Sequence, residues 1–391
     1  MPALAEKAYC TGCTACASIC PKNCIGMFPD RDGFLHPRID PDICVECGLC
    51  QTVCPVLSPS AKAETLPRAY AAYSRDEAIR LESSSGGIFT EIARTVLADG
   101  GAVYGAAYNA QFAVVHICAE TEADLAGLRG AKYAQSDLTG IFTKIHTQLN
   151  QGRTVLFSGT PCQVAGLKAF LRKDYENLLT VDFVCHSVPS PMAWQAYVKY
   201  RAELDNNGEM PHAINLRSKL TGWTNYRYSN LFTYADGHSH AAKSGESLYM
   251  KLFVGGYINR ESCANCHFKG YSRISDLTVG DFWGVWNIAP EMDDNKGTSL
   301  ILVQSPKGSA LLDSVRGKVV LKPVTAEDSS RHNGAMLNPH HPNERRAAAL
   351  EMIRSGRIGE CENWFLPKKP SVAKRIRSLL GRLLRKCRRH A

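Results

Sequence analysis

This 391-residue sequence contains no run of 18 or more apolar residues, which excludes a membrane-spanning helix. Its first residues, MPALAEKAYC, lack the apolar segment of a signal peptide, so the sixteen cysteines are expected to lie in a reducing cytoplasm and to bind metal. Acidic residues are absent from residues 368–391, which hold ten lysines and arginines of a chain whose formal net charge is +9. The rest of the chain therefore carries −1, and a basic groove for nucleic acid is not expected there.

Half of the cysteines form two copies of the spacing C-x2-C-x2-C-x3-C-P. The first copy runs to Pro21 and the second to Pro55, with the cysteines Cys10, Cys13, Cys16, Cys20 and Cys44, Cys47, Cys50, Cys54. This is the spacing of bacterial ferredoxins with two [4Fe-4S] clusters, in which the last cysteine of each copy ligates the other cluster. It predicts that Cys54 completes the site of Cys10, Cys13 and Cys16, and that Cys20 completes the other site.

Two other interpretations of this cysteine-rich region are weaker. Disulfide frameworks are typical of small secreted chains. Structural zinc sites need only paired C-x2-C units, which leaves the third cysteine of each run without a purpose. Cys24 lies outside the repeat and is expected to pack as a small hydrophobic residue.

The remaining chain predicts a mixed α/β body that follows a ferredoxin-like domain of residues 1–58 and a Pro- and Ser-rich linker of residues 59–67. Alternating strand and helix patterns divide the body into residues 68–150 and 151–335, followed by a C-terminal extension of residues 336–391. In the first part, Gly86 and Gly87 leave the start of a helix without side chains, so that a ligand can approach its free amides.

Two strands of the second part end at cysteines. TVLFSG is followed by a helix with Thr160 as its N-cap and Pro161 as its first residue, and Cys162 comes next. LLTVDFV is followed by Cys185 and His186. Parallel strands place Cys162 and Cys185 at one carboxyl edge of the sheet, where ligands usually bind.

Residues 212–243 change to short alternating stretches that predict antiparallel strands, and then a C-x2-C pair appears at Cys263 and Cys266. Together with Cys162 and Cys185, these supply the four thiolates that a third [4Fe-4S] cluster needs. A zinc knuckle of Cys263, Cys266, His267 and one further residue, or a redox-active Cys162, are the alternatives. Cys118, Cys361 and Cys387 have no partner at a useful spacing.

Several motifs between residues 66 and 290 resemble, in the same order, those of the coenzyme F(420) hydrogenase/dehydrogenase beta-subunit family. They are SSGGIFT, KYAQS, SGTPCQVAGLK, VCHSVPSP, RSKLTGW and CANCHFKGYSRISDLTVGDFWG. The resemblance implies a flavin-binding body with a cluster beside an FAD. It also implies that three segments hold the FAD, through Ser84, Ser85, Gly86, Gly87, Lys132, Tyr133, Gln135, Ser136, Ser158, Gly159, Thr160 and Pro161. From the residues alone, an ordinary surface loop with a helix N-cap is the favoured interpretation of Lys132 to Ser136.

These features predict a cytoplasmic oxidoreductase. Electrons are expected to pass from a ferredoxin or other low-potential donor through the clusters to FAD and a small organic substrate. Members of the family act on a deazaflavin coenzyme, on chlorophyll side groups, or on compounds of surface-polysaccharide gene neighbourhoods, and the shared motifs do not choose among these. An electron-transfer subunit without its own substrate is the main alternative, and a metal-storing or redox-sensing module is a more remote one.

Two residues are candidates for the acid that protonates a reduced product. His186 and Asp281 both follow strand ends close to the expected cofactors. A histidine bonded to backbone beside a cluster ligand is an equally good interpretation of His186.

The end of the chain predicts a basic amphipathic helix over residues 371–390. Apolar residues recur there at helical spacing between lysines and arginines. Such a helix suits the anionic inner face of a membrane, an acidic protein partner, or the body of the same chain, and the membrane surface is favoured.

Overall fold

The computed structural model describes residues 1–59 and 65–364. The predicted helix over residues 371–390, Cys387 and most of the predicted linker lie outside the described residues. Within these two ranges, none of the helices is both long enough and apolar enough to cross a membrane.

The N-terminal module contains two short helices, each embedded in one of the cysteine runs, and a hairpin between them. The elements are α1 (Ala15–Ile19), β1 (Ile25–Pro29), β2 (Leu35–Ile39) and α2 (Leu49–Thr52). Strands β1 and β2 pair antiparallel, with Ile25 opposite Ile39. Both helices begin after a residue in the left-handed region, Thr14 at φ 68° and Gly48 at φ 74°.

The body is built on a mixed eight-stranded sheet. Its strands are β3 (Arg68–Ser74), β4 (Ala102–Tyr108), β5 (Val114–Ala119), β6 (Val155–Gly159), β7 (Leu178–Phe183), β11 (Leu277–Asp281), β12 (Ser299–Val303) and β13 (Val319–Val324). The spatial order is β13-β3-β12-β11-β7-β6-β4-β5. The four adjacent strands β11, β7, β6 and β4 are parallel, and the others join antiparallel. The predicted partly parallel layer is therefore confirmed.

A separate three-stranded antiparallel sheet lies between β7 and β11 in the chain, as the alternating pattern of residues 212–243 predicts. It consists of β8 (Ala213–Ser218), β9 (Ser229–Thr233) and β10 (Ser239–Lys243), with β9 in the centre.

Helices cover the sheets. They are α3 (Glu77–Glu82), α4 (Ile88–Ala98), α5 (Glu122–Leu128), α6 (Ile141–Asn150), α7 (Pro161–Leu171), α8 (Pro191–Asn206), α9 (Leu248–Val254), α10 (Val285–Ile288), α11 (Pro306–Ser314), α12 (Ala326–Ser330), α13 (Arg346–Arg354) and α14 (Cys361–Trp364). Helices α8, α9 and α13 share an apolar core with the three-stranded sheet. The predicted cap of α7 is confirmed, because the Thr160 hydroxyl accepts from the Gln163 amide and Pro161 occupies the first position.

The N-terminal module is docked on the body through the loop of its hairpin. Asp32, whose side chain is 5% exposed, accepts a hydrogen bond from Arg354 at 2.7 Å and lies 3.5 Å from a guanidinium nitrogen of Arg346. Phe34 is 2% exposed and lies beneath the guanidinium groups of Arg260 and Arg346. Because removal of one partner of a buried ion pair is costly, these contacts hold the module in one place.

Candidate iron–sulfur sites

The first site lies in the N-terminal module. A cavity of about 390 Å³, partly open to solvent, is lined by four cysteines of the first predicted ligand set, Cys10, Cys13, Cys16 and Cys54. Cys50 also reaches its wall. Burial, followed by the like charge of Cys10 and Cys54, raises the pKa of Cys13 to about 11. The fold therefore brings the last cysteine of the second run to the first three of the first run.

The second site is the counterpart of the first. A cavity of about 320 Å³ is lined by Cys20, Cys44, Cys47 and Cys50. Cys24 lines the same cavity, and its Sγ atom is 3.3 Å from that of Cys20. Cys24 is 5% exposed and belongs to the apolar core of the module, so it packs as expected and also contacts a predicted ligand.

The third site joins four cysteines of the body. Cys162 is the second residue of α7, which follows β6, and Cys185 follows β7. Cys263 lies in a short 3-10 helix, and Cys266 directly follows that helix. Burial raises the pKa of Cys162 well above its usual value, and the like charges of Cys185, Cys266 and Cys263 add to this effect. The structure therefore brings together the four cysteines that the sequence predicts as ligands, although they come from three separate parts of the chain.

The surroundings of the third site suit an anionic group. Lys269 donates hydrogen bonds to the carbonyl oxygens of Cys185 and His186. Burial raises the pKa of Cys185 to about 12, and the nearby Lys269 opposes this rise. Thiols buried in this way keep their protons until metal displaces them, and a cluster held by four thiolates is itself an anion. The donor set and the cationic neighbour thus fit a [4Fe-4S] cluster.

The cysteine sites are not arranged as sites for a single metal ion. Across residues 1–59 and 65–364, no group of three or more His, Cys, Asp or Glu side chains is arranged to hold one such ion.

His186, the first candidate acid, lies directly beside the third site. Its ring contacts Phe253 edge-on at 5.1 Å between centroids and His340 at 4.1 Å. Its Nε2 is buried without a hydrogen-bond partner. Burial, and then the charges of His340 and Lys269, lower the pKa of His186 to about 4, so the imidazole is neutral at neutral pH.

Asp281, the second candidate, is occupied by a buried arginine. Its two carboxylate oxygens each accept a hydrogen bond from Arg217, at 2.7 Å, and Arg217 also donates to the Tyr133 hydroxyl at 3.1 Å. The guanidinium stacks over Tyr228 at 4.0 Å from the ring centroid. Arg217 opens the RSKLTGW motif but had no predicted role, because no local spacing connects it with Asp281.

The residues before α4 differ in their packing and in their hydrogen bonds. A Cβ atom at Gly86 would lie 2.4 Å from the carbonyl oxygen of Ala72, so close packing against β3 is sufficient reason for glycine there. Ser85 donates to the Thr298 carbonyl. Ser84 differs, because its hydroxyl is buried without a hydrogen-bond partner while its carbonyl accepts from Arg217.

The KYAQS loop contacts three different neighbours. Tyr133 reaches Arg217, as described above. Gln135 accepts from the Leu35 amide at 2.9 Å and from Arg260 at 3.1 Å, so it binds the N-terminal module. Lys132 donates to the carbonyl oxygens of Gly127 and Arg129, and burial lowers its pKa to about 7.

A histidine that was not predicted from the sequence links this loop to the turn before α7. His116 is 5% exposed; its Nδ1 lies 2.6 Å from the Ser136 hydroxyl and its Nε2 lies 3.1 Å from the Ser158 carbonyl oxygen. The carbonyl can only accept, so Nε2 carries the proton and Nδ1 accepts from Ser136. The turn of Ser158, Gly159, Thr160 and Pro161 is thereby held against the KYAQS loop. The roles of these residues toward FAD stay a prediction.

Comparison with known proteins finds matches for both the N-terminal module and the body. Residues 152–328 match the family described as the C terminus of the beta subunit of coenzyme F(420) hydrogenase/dehydrogenase. Residues 9–57 and 36–102 match two families of 4Fe-4S dicluster domains.

Two curated relatives match the N-terminal module. A 7Fe ferredoxin of Hydrogenibacillus schlegelii is 38% identical over 53 residues, which are 14% of this chain and 62% of the relative. An uncharacterised polyferredoxin-like protein of Methanocaldococcus jannaschii is 35% identical over 66 residues, which are 15% of this chain and 39% of the relative. The chain thus spans less than two thirds of either relative.

Among solved structures, a chain of the F(420)-reducing [NiFe] hydrogenase complex from Methanosarcina barkeri is similar with 15% identity and a TM-score of 0.46. The alignment covers 78% of this chain and 94% of that chain.

The fold, the cysteine sites and the domain matches define an iron–sulfur protein. More particularly, an N-terminal 4Fe-4S dicluster module is followed by the C-terminal domain of the coenzyme F(420) hydrogenase/dehydrogenase beta-subunit family, and the chain is related to that family. The resemblance drawn from the sequence motifs is confirmed.

Proposed function

We propose that this chain is an iron–sulfur flavoprotein oxidoreductase with three [4Fe-4S] clusters and one FAD. The observation that carries the proposal is the convergence of Cys162, Cys185, Cys263 and Cys266 at the carboxyl edge of the parallel strands. An FAD would exchange single electrons with clusters and a hydride with an organic substrate.

Support for an FAD in the body comes from polar groups that lack partners within the chain. The Ser84 hydroxyl and the Nε of Arg217 are both buried without a hydrogen-bond partner. Both lie in the constellation that Arg217 forms with Asp281 and Tyr133. Because an unsatisfied buried polar group costs about 1–3 kcal/mol, a polar ligand at this place would stabilise the site.

The chain's own residues have distinct tasks in this proposal. Arg217 orients Tyr133 and the Ser84 carbonyl, and His116 holds the turn before α7 against the KYAQS loop. His186 is neutral at neutral pH, so it would not be a resident acid; with its unpartnered Nε2 it would relay a proton that it first accepts. Asp281 would keep Arg217 in place, so we assign it a positioning role in addition to its candidacy as an acid.

The experiment is cofactor analysis of the full chain, purified and reconstituted anaerobically. We expect about twelve irons and one FAD per chain, and about eight irons with Cys263→Ser, which removes one ligand of the third site. Cys118→Ser is the matched control, since Cys118 belongs to none of the three sites. About eight irons and no flavin in the unaltered chain would contradict the proposal.

The partners we propose are a low-potential ferredoxin-type donor, a small organic substrate and, through residues 371–390, an anionic membrane surface. The last rests on the basic amphipathic pattern of the sequence alone. Deletion of residues 371–391 should abolish binding to anionic vesicles, and retained binding would remove the membrane from the proposal. Turnover of a substrate by the isolated chain would separate an enzyme from an electron-transfer subunit.

A further inference from the structure

A glycine in the middle of α7, Gly166, allows the N-terminal module to pack closely against the body. A Cβ atom built on Gly166 would lie 2.8 Å from both Cβ and Sγ of Cys13 and 3.5 Å from its carbonyl oxygen. Real Cβ atoms essentially never approach other heavy atoms to less than 3.0 Å. Because glycine inside a helix costs about 1 kcal/mol relative to alanine, close packing is the physical reason for a glycine at this position.

The two ends of this contact belong to two different cysteine sites. Cys13 is a member of the first site. Gly166 follows Cys162 of the third site by four residues, which is about 6 Å along the axis of α7. Cys13 of the first site therefore contacts α7 about one helical turn away from Cys162 of the third site.

A buried arginine makes a second connection between the same two sites. The Nε of Arg260 donates to the Cys10 carbonyl oxygen at 2.9 Å, and the Cys263 amide donates to the Arg260 carbonyl at 3.2 Å. Arg260 is 3% exposed. The loop of the first site and the loop of the third site are thus tied through one residue.

The second site has a different environment. Cys13 of the first site shares an apolar core with Val164 and Leu167 of α7. The core that contains Cys24 and Cys50, by contrast, is built from residues of the N-terminal module alone. Cys47 is exposed. The first site therefore faces the body, and the second site has a member at the surface.

We infer that Gly166 is a positioning residue that sets the approach of the first site to the third, and that the N-terminal module exchanges electrons with the body at this contact. The inference rests on the proposed third cluster. The step that the contact serves moves one electron between two clusters, so one is oxidised and the other reduced, with no bond made or broken. A one-electron donor of ferredoxin type supplies the electron at the second site.

The test compares full-length, anaerobically reconstituted variants. Gly166→Leu and Gly166→Ala insert atoms between α7 and Cys13, and Gly127→Ala is the matched control. Gly127 is also helical, and its nearest neighbour to a new Cβ is the Ile117 Cδ1 at 4.0 Å. Iron content reports whether all three clusters are present. Electron paramagnetic resonance of the reduced protein reports the magnetic coupling between clusters, which weakens with distance.

We expect about twelve irons in all four proteins. The coupling between the first and third clusters should be lost in Gly166→Leu, weakened in Gly166→Ala and unchanged in Gly127→Ala. Reduction of the third cluster by a reduced ferredoxin should be slowest in Gly166→Leu, slower in Gly166→Ala than in the unaltered chain, and unchanged in Gly127→Ala. If Gly166→Leu does not fold, the unaltered chain and Gly166→Ala decide the matter through the coupling.

Two results would overturn the inference in distinguishable ways. Twelve irons with no coupling in the unaltered chain, or with equal coupling in Gly166→Ala or Gly166→Leu, would refute the role of Gly166 and leave the proposed function standing. About eight irons in the unaltered chain would refute the third cluster and, with it, the connection that Gly166 is inferred to set.

Discussion

Replacing His116 by glutamine is expected to remove part of the acid sensitivity of the folded protein. Burial lowers the pKa of His116 to about 4, from an ordinary value of 6.5. Between these two values the unfolded chain binds more protons than the folded chain, so the free energy of unfolding rises with pH across this window and falls on acidification. The full shift is worth about 3 kcal/mol, because one pKa unit corresponds to about 1.4 kcal/mol.

Only part of this effect is present at a given pH. At pH 5, protonation of the unfolded chain at His116 lowers the free energy of unfolding by about 2 kcal/mol relative to pH 8. Glutamine does not titrate in this range, and its amide offers a donor toward the Ser158 carbonyl and an acceptor toward the Ser136 hydroxyl. His116→Gln should therefore lose less stability than the unaltered protein between pH 8 and pH 5.

The assay is anaerobic thermal unfolding at a fixed scan rate, followed by fluorescence between pH 5 and pH 8. His36 and His186 also have a pKa lowered to about 4, mainly by burial, so the unaltered chain is acid-sensitive for several reasons. The difference between variant and parent isolates His116, and the exposed His212→Gln serves as control. Parallel loss of stability in the parent and in His116→Gln would refute the reasoning.

Three further predictions concern the docked module and the buried ion pair. Cys20→Ser should deplete the second site and Cys54→Ser the first, and each should lower the iron content by up to about four per chain. Spectra that show loss of the first cluster in Cys20→Ser, or of the second cluster in Cys54→Ser, would contradict the exchange of ligands. Asp32→Ala leaves two arginines without their buried partner and should destabilise the docked state by about 3 kcal/mol. Faster limited proteolysis of the module would report this, whereas the exposed Asp42→Ala should behave as the parent. Asp281→Asn leaves Arg217 buried without its charge partner and should lower the free energy of unfolding by about 3–5 kcal/mol, measured by thermal unfolding; an unchanged midpoint would show that the pair is dispensable for stability.

The sequence alone determined the features that depend on neighbours along the chain. Thiolates at C-x2-C-x2-C-x3-C spacing imply a cluster whatever the rest of the fold, and Thr160 with Pro161 defines a helix start through local hydrogen bonds. The parallel strands that end before Cys162 and Cys185 also follow from a strand-helix-strand-helix order. The antiparallel addition of β3 did not follow, because β3 pairs with β12 and β13, which lie more than 200 residues further along the chain.

Only the tertiary structure decided which polar groups meet. Arg217 finds Asp281 across 64 residues, His116 finds Ser158 across 42, and Arg260 finds Cys10 across 250. Nothing in local spacing encodes such contacts, since they arise when separately formed elements pack together. The same is true of Gly166. From the sequence it is only a residue that destabilises a helix, and the fold shows that Cys13 packs against it. Packing between distant segments thus determines how the cysteine sites of the N-terminal module are placed relative to the third site in the body.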